Sequence, residues 1–510
     1  MRKKSIHVIA FAALTTFALA ASLTSCSDNN TPENPVTDTR HWSTNGGLKA
    51  ADNLLFDGNQ IGNGDKEFVF TGKQTLKRGT YVLKGWVYIA NGAELTIEPG
   101  TIIKGDKQTK ATIIAERGGK LIAQGTAEAP IVFTSAQPKG QRKPGDWGGV
   151  ILCGQAPHNA GEAQIEGGPR AKHGGNDVHD NSGVLSYVRV EFAGYPFATD
   201  QEINGVTLGS VGDGTKIDHV QVSYSNDDSF EWFGGTVNCK NLIAFNGWDD
   251  DFDTDNGFSG HVQYGLSVRD PRIADKSQSN GFESDNDASG STASPITSAI
   301  FSNMTFVGPR QADVNFVNDA DYITGGNYNP NNGSGLGKFQ AAMQIRRGSR
   351  LNCVNSVAIG WPIGIMLDGE KGDTQTQATN GTIKLQNVWF AGMTITGSDA
   401  NKLYTDNFVT GYDANKKPVV DATRPSFSTT WFLQQTGNRA DATTDSWLLQ
   451  PLSGLAGVSF VPTAASPLLN AASFASVSST WFDKVGFIGA FGTDNWTAGW
   501  ANFDPQNTDY

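Results

Sequence analysis

Charge and helix-forming residues are both scarce in this chain. Of its 510 residues, 18% are charged, against roughly 25% in ordinary globular domains. Ala, Glu, Lys and Leu do not recur on helical faces, which argues against a helix-rich enzyme or a coiled coil. Bases are scarcer than acids, 39 Lys and Arg against 51 Asp and Glu, and three of the bases are Arg2, Lys3 and Lys4. A chain this acidic is excluded from charge-driven binding to nucleic acid or to an anionic membrane surface. Seven scattered histidines form no His-x-x-His pair, and no Gly-x-Ser-x-Gly elbow accompanies them. Of four cysteines, Cys153, Cys239 and Cys353 each stand alone, so a disulfide framework is not expected. Cys239 in V-N-C-K-N and Cys353 in L-N-C-V-N read as small buried residues at equivalent places of a repeat.

What the chain has instead is glycine, 60 residues of it, together with Asn, Asp, Thr and Ser, which supply turns between short strands. From Tyr81 onward, four-residue β-rich runs such as TYVL, WVYI, ELTI, TIIK, KLIA and PIVF are cut by Gly, Asn or Pro. Strands that short cannot each cross a large sandwich, and two-residue hairpin turns are not regular between them. Stacked one above another in coils of roughly 20 to 30 residues, they build a solenoid. The expected fold is all-β, a right-handed parallel β-helix over residues 79–397. Residues 309–338 read as a long projecting loop. Residues 398–510, with Trp431, Trp447, Trp481, Trp496 and Trp500, read as an aromatic-rich C-terminal cap over the apolar end of the solenoid.

The first 25 residues combine a basic start with a short apolar stretch, the pattern of a secretory signal. Leu23-Thr24-Ser25-Cys26 resembles the lipobox of bacterial lipoproteins, which implies a lipid on Cys26. The polar, Pro-bearing run that follows suits a tether within an N-terminal region spanning 26–78.

The strongest chemical signal lies between Asn226 and Asp287. Three segments, SNDDSFEWFGG, GWDDDFDTDNGFSG and SNGFESDNDASG, align on Phe230-Glu231, Phe252-Asp253 and Phe282-Glu283. The separations, 22 and 30 residues, match single coils. The three phenylalanines are therefore predicted to stack inside while Glu231, Asp253 and Glu283 form a ladder outside. Carboxylates at the ~4.8 Å coil spacing repel one another strongly without a counter-ion. Asp227, Asp228, Asp249, Asp250, Asp251, Asp255 and Asp285 add to the charge, and hard oxygen donors at that spacing suit Ca²⁺. Trp232 and Trp248, aromatic faces beside the acids, are candidates for stacking on a sugar.

D-D-D-F-D at 249–253 is similar to the D-D-G-F-D run of one group of parallel β-helix pectate lyases. That resemblance implies Asp249, Asp250 and Asp253 as ligands of a Ca²⁺ that neutralises a uronate, with Asp251 standing where the lyases have glycine. Such a lyase also needs a base, for which Lys276, Arg269 and Arg272 are the nearby residues. Over a longer span, E-L-T-I-E-P-G-T-I-I-K-G (94–105), the 118–135 run ending in P-I-V-F-T-S, G-D-W-G-G-V-I-L-C-G (145–154) and G-F-I-G-A-F-G (486–492) resemble a family of exported Bacteroidota lipoproteins. The resemblance implies a β-helix lipid-anchored at the outer membrane, on either face, and brings no catalytic residues. The expected function is a calcium-binding module for glycan, nutrient or an outer-membrane protein, with a uronate lyase as the alternative.

Overall fold

The computed structural model describes residues 49–56, 58–198, 201–442 and 460–510. The signal sequence, Cys26 and Trp447 lie outside the described residues. Among the described residues, no helix is long and apolar enough to cross a membrane.

Short strands stack in parallel, one per coil. One face is built from β1 (Lys49–Ala51), β2 (Phe68–Phe70), β3 (Trp86–Ile89), β4 (Thr112–Ala115), β5 (Gly149–Cys153), β6 (Val206–Gly209), β7 (Phe230–Phe233), β8 (Phe252–Asp255) and β9 (Phe282–Ser284). Every neighbouring pair is parallel. The face continues into β10 (Ala341–Ile345), β11 (Ile363–Leu367) and β12 (Ile395–Ser398). The join is made by Gly281 N–H to Ala341 O at 3.0 Å and Arg346 N–H to Ser284 O at 3.0 Å. A second, larger parallel sheet closes each coil, through strands such as Lys216–Ser223, Cys239–Phe245 and His261–Val268. This is the parallel β-helix that the strand lengths and glycine spacing predict.

Inward side chains of successive coils sit on one another. Phe230, Phe252 and Phe282 are in register and fully buried. Phe230 and Phe252 stack at 5.6 Å, while Phe282 meets Phe301 and Phe306 edge-on at 5.6 and 5.9 Å. Cys239, Val262, Phe301 and Cys353 form another column. The equivalence of the two cysteines is thus real, and both are buried free thiols.

The larger sheet bends sharply once per coil, and the bend needs a left-handed residue. Tyr187, His219, Asn241, Tyr264, Asn303, Asn355 and Asn387 occupy it, with φ between 50° and 65°. Asparagine tolerates this region better than other non-glycine residues, which accounts for four of the seven.

The tail is split between two tasks. The end of the solenoid is covered by the helix Phe427–Gln434, capped by Ser426 and packed through Phe432 on Phe390 at 4.3 Å. Residues 460–510 instead turn back and run along the flank of the coils as a strap. Asn355 Oδ1 accepts from Ser473 N–H at 2.8 Å, Gln221 exchanges two bonds with Asn502 at 2.8 and 2.7 Å, and Tyr510 reaches Glu191 at 2.5 Å. Beneath the strap, Leu468, Ile488, Phe491 and Trp500 form a second core with Ile243, Leu266 and Val307. Of the tryptophans expected over the solenoid end, Trp431 lies in the Phe427–Gln434 helix, whereas Trp481, Trp496 and Trp500 seal the side, because the outer surface of the larger sheet is itself apolar there. The 309–338 loop does not project. It folds back, with Asn331 on Asn226 and Asn332 on Pro144 and Asp146.

Candidate metal centre

Parallel pairing converts a repeated tetrapeptide into rows. Asn204-Gly205-Val206-Thr207, Asp228-Ser229-Phe230-Glu231, Asp250-Asp251-Phe252-Asp253 and Asn280-Gly281-Phe282-Glu283 stand one above another. The first residues form a side-chain ladder. Asn204 Oδ1 accepts Asp228 N–H at 3.2 Å, Asp228 Oδ1 accepts Asp250 N–H at 2.8 Å, Asp250 Oδ1 accepts Asn280 N–H at 2.5 Å and Asn280 Oδ1 accepts Ala341 N–H at 3.0 Å. Neutral asparagines thus end the ladder and charged aspartates occupy its middle. The fourth residues form the row Thr207, Glu231, Asp253 and Glu283 on the outer surface of the face, with Gln344 next by the two bonds that join β9 to β10.

The row lies on the outer face, as the sequence predicts, yet it is not exposed. Glu231, Asp253 and Glu283 are only 2%, 6% and 9% accessible. Asn204 of the preceding coil binds Glu231, and more distant segments come in beside the acids: Ser277 binds Asp249, and Ser334 and Asn331 bind Asn226. Glu166 and Glu202 add further negative charge from the covering loops. Neither was among the residues singled out from sequence, since nothing periodic links them to the tetrapeptides. Asn204 and Asn280 could have been found by extending the alignment one coil each way.

Three carboxylate triads result: Asp227, Asp228 and Asp249; Asp228, Glu231 and Asp253; and Asp250, Asp253 and Glu283. In each, one oxygen per residue lies within 4.8 Å of the others. Burial, reinforced by the neighbouring acids, pushes Asp227, Asp228, Glu231, Asp250 and Asp253 well above the usual carboxylate range. Asp249 is raised to about 7 by burial and Asp275, and Glu283 to about 7 by burial against the opposing pull of Arg346. Asp249 Oδ1 and Asp253 Oδ1 are buried and accept no hydrogen bond. A buried acceptor without a donor costs about 1–3 kcal/mol, more if charged. Two such oxygens amid clustered carboxylates are what an oxygen-seeking cation would satisfy.

The other predicted ligands are accounted for differently. Asp251 points away from the triads and its two oxygens are taken by Arg269 at 2.8 Å and Ser267 at 2.5 Å. It is an ion-pair residue in the coil interior, because Arg269 is also fully buried and needs a counter-charge. Asp285 is neutralised by Arg346 at 3.0 Å and Arg347 at 2.8 Å. Asp255 accepts the N–H of Asn256 at 2.6 Å. Neither belongs to a triad. Trp232 and Trp248 are both 0% accessible. Trp232 stacks on Phe258 at 5.4 Å, and Trp248 donates to Gly335 O at 2.9 Å beneath the 309–338 loop. Their ring faces pack in the protein and are closed to a sugar.

Of the nearby bases, Arg269, Arg346 and Arg347 are all held in ion pairs. Arg272 lies over the Tyr322 ring at 4.7 Å, and Lys276 is exposed beside Gly335.

The profile of the family described as "Pectate-lyase like beta helix domain" matches residues 69–448. No curated protein and no solved structure matches the chain.

Proposed function

Since the chain belongs to the pectate-lyase-like beta helix domain family, we propose that it is a calcium-binding β-helix acting as a binding module of the cell envelope. A lipid on Cys26 would hold it to the outer membrane, and its partner would be a glycan, a nutrient or an outer-membrane protein. The observation that carries the calcium reading is Asp253 Oδ1, buried without a hydrogen bond where two carboxylate triads meet. Asp227, Asp228, Glu231, Asp249, Asp250, Asp253 and Glu283 are the residues that would hold the ion or ions. Six of these seven, all but Glu283, make no ion pair with Lys or Arg among the described residues. A cation would supply the missing positive charge at the place where the sheet concentrates the negative.

A polysaccharide lyase of the same family type would need a base placed beside the metal and free to accept a proton. Arg269, Arg346 and Arg347 are engaged in ion pairs and Arg272 lies over the Tyr322 ring, which leaves exposed Lys276 as the base such a lyase would have to use.

Calcium titration of the protein lacking its signal sequence tests the reading. At a free calcium concentration a hundredfold above Kd, binding adds about 2.7 kcal/mol of stability, seen as a rise in Tm that EGTA reverses. Asp253→Asn is expected to remove that rise. Equal melting in calcium and EGTA would refute the calcium site, and ultraviolet-absorbing unsaturated products released from polygalacturonate would replace the module with a lyase.

A further inference from the structure

The strap formed by residues 460–510 does not lie evenly on the coils. It is anchored on one side by Asn303 Nδ2 to Phe487 O at 2.7 Å and Gly489 N–H to Asn355 O at 2.8 Å, and on the other by the paired bonds of Gln221 and Asn502. Between these anchors it borders an open cleft of about 510 Å³ over Asn241 and Tyr264. That volume lies within the ~300–1,000 Å³ of small-molecule sites.

The residues around the cleft differ from their neighbours in the same column of left-handed turns. Tyr187 and His219 stack on each other at 4.2 Å and meet Trp500 edge-on. Asn303, Asn355 and Asn387 bond the strap. Asn241 lines the cleft with no side-chain hydrogen bond among the described residues, as do Asn470 and Asp494 across from it. Tyr264, Phe487 and Trp496 supply half-buried ring surface. The rings are braced: Tyr264 Oη donates to Asp483 at 3.3 Å, and Trp496 stacks on Phe491 at 5.2 Å while its Nε1 donates to Ala490 O at 2.8 Å.

We propose that this cleft binds a neutral sugar unit of an oligosaccharide, at a site separate from the acidic rows; the inference rests on the binding-module reading and names its ligand class. Held aromatic rings accept the C–H face of a pyranose, and unengaged amide and carboxylate groups accept and donate to its hydroxyls. Charge selects a neutral sugar over a uronate. Asp494 is the charged residue lining the cleft, and the adjacent base, Lys240, is held by Asp483 at 2.8 Å and lies over the Trp481 ring at 4.8 Å. A uronate carboxylate would face Asp494 without a cation between them.

The test is isothermal titration calorimetry of the protein, in calcium buffer, with cellohexaose, mannohexaose, maltohexaose and polygalacturonate. Binding of at least one neutral hexasaccharide is expected, weakened about tenfold by Asp494→Ala and by Asn241→Gly, which removes the amide while keeping the left-handed φ of 56°, through loss of a hydrogen bond. Both variants should keep the wild-type Tm, whereas Trp496→Ala removes packing from the strap and is a weaker probe. Asp253→Asn should leave the sugar affinity unchanged. Absence of binding by all three neutral sugars, preference for polygalacturonate, or affinity indifferent to both cleft variants would each overturn the proposal. The two readings fail separately: calcium stabilisation without sugar binding removes the cleft alone, and cleft-dependent sugar binding without a calcium effect removes the metal centre alone.

Discussion

Asp251 and Asp253 are two residues apart and have opposite fates. In a strand, successive side chains alternate between faces, so Asp251 and Asp253, on either side of inward Phe252, would both point outward if Asp251 belonged to the strand, which begins at Phe252. Asp253 enters the triads, while Asp251 turns to Arg269 in a pair whose own two side chains are 0% accessible. Removing one partner of a buried pair leaves an uncompensated charge and costs about 3–5 kcal/mol. Arg269→Met is therefore expected to lower the unfolding free energy by that amount in urea denaturation. Combining it with Asp251→Gly removes the stranded charge and should restore most of the loss. If the double variant is as unstable as the single one, the pair is not what stabilises this turn. Asp251→Gly also places glycine where the D-D-G-F-D pattern has it, so Arg269 reads as the compensation for the departure from that pattern.

At the scale of the strand, β7, β8 and β9 act as one unit because parallel register repeats any charged position at every coil. Their acids are stable as neighbours only when protonated or bound to a cation. The sign of the pH effect follows. Asp249 and Glu283 are raised to about 7 in the fold, above roughly 4 for unfolded carboxylates. A group raised in this way contributes stability that is full below about pH 4 and lost as pH rises through about 7. Calcium-free protein should lose stability across that window, and bound calcium should cancel the loss. The rise in Tm from calcium is thus expected to be small at pH 5 and larger at pH 8, read by thermal melts in calcium and in EGTA. His158, lowered to about 4 by burial, acts in the opposite sense: its contribution is lost as pH falls below about 6.5. It is common to both melts and drops out of their difference. A calcium effect independent of pH between 5 and 8 would mean that these carboxylates are not the ligands.

At the scale of the molecule, the strap makes a one-dimensional stack into a structure with long-range closure. A solenoid coil touches only its neighbours, but Lys104 meets the backbone of Tyr510 at 2.6 Å, and Arg142 lies 4.8 Å from the Tyr510 ring. Gln221 holds both the N–H and the C=O of Asn502. Replacing Gln221 by Ala removes both of its hydrogen bonds to the strap, each worth about 1 kcal/mol, along with its bond to Ser223. Limited proteolysis should then cut within residues 460–510 several times faster, with the far-ultraviolet spectrum of the solenoid unchanged. Unchanged proteolysis would assign the strap's attachment to its other contacts, the bonds of Asn303, Asn355 and Glu191 and the apolar seam beneath it.

The sequence by itself determined the coil. The 22- and 30-residue spacing of Phe230, Phe252 and Phe282, the paired settings of Cys239 and Cys353, and the row of Glu231, Asp253 and Glu283 were all legible, because contacts between successive coils leave a periodic trace. Tertiary structure alone decided which acids face one another under cover. Ser277 and the 331–334 segment close in beside the acids, and the added charge of Glu166 and Glu202 comes from loops with no period. The same holds for the fate of the C-terminal aromatics. Their apolarity called for a surface to cover, but whether that surface was the end of the stack or its flank depended on contacts spanning up to several hundred residues, such as Lys104 with Tyr510, which no local pattern encodes.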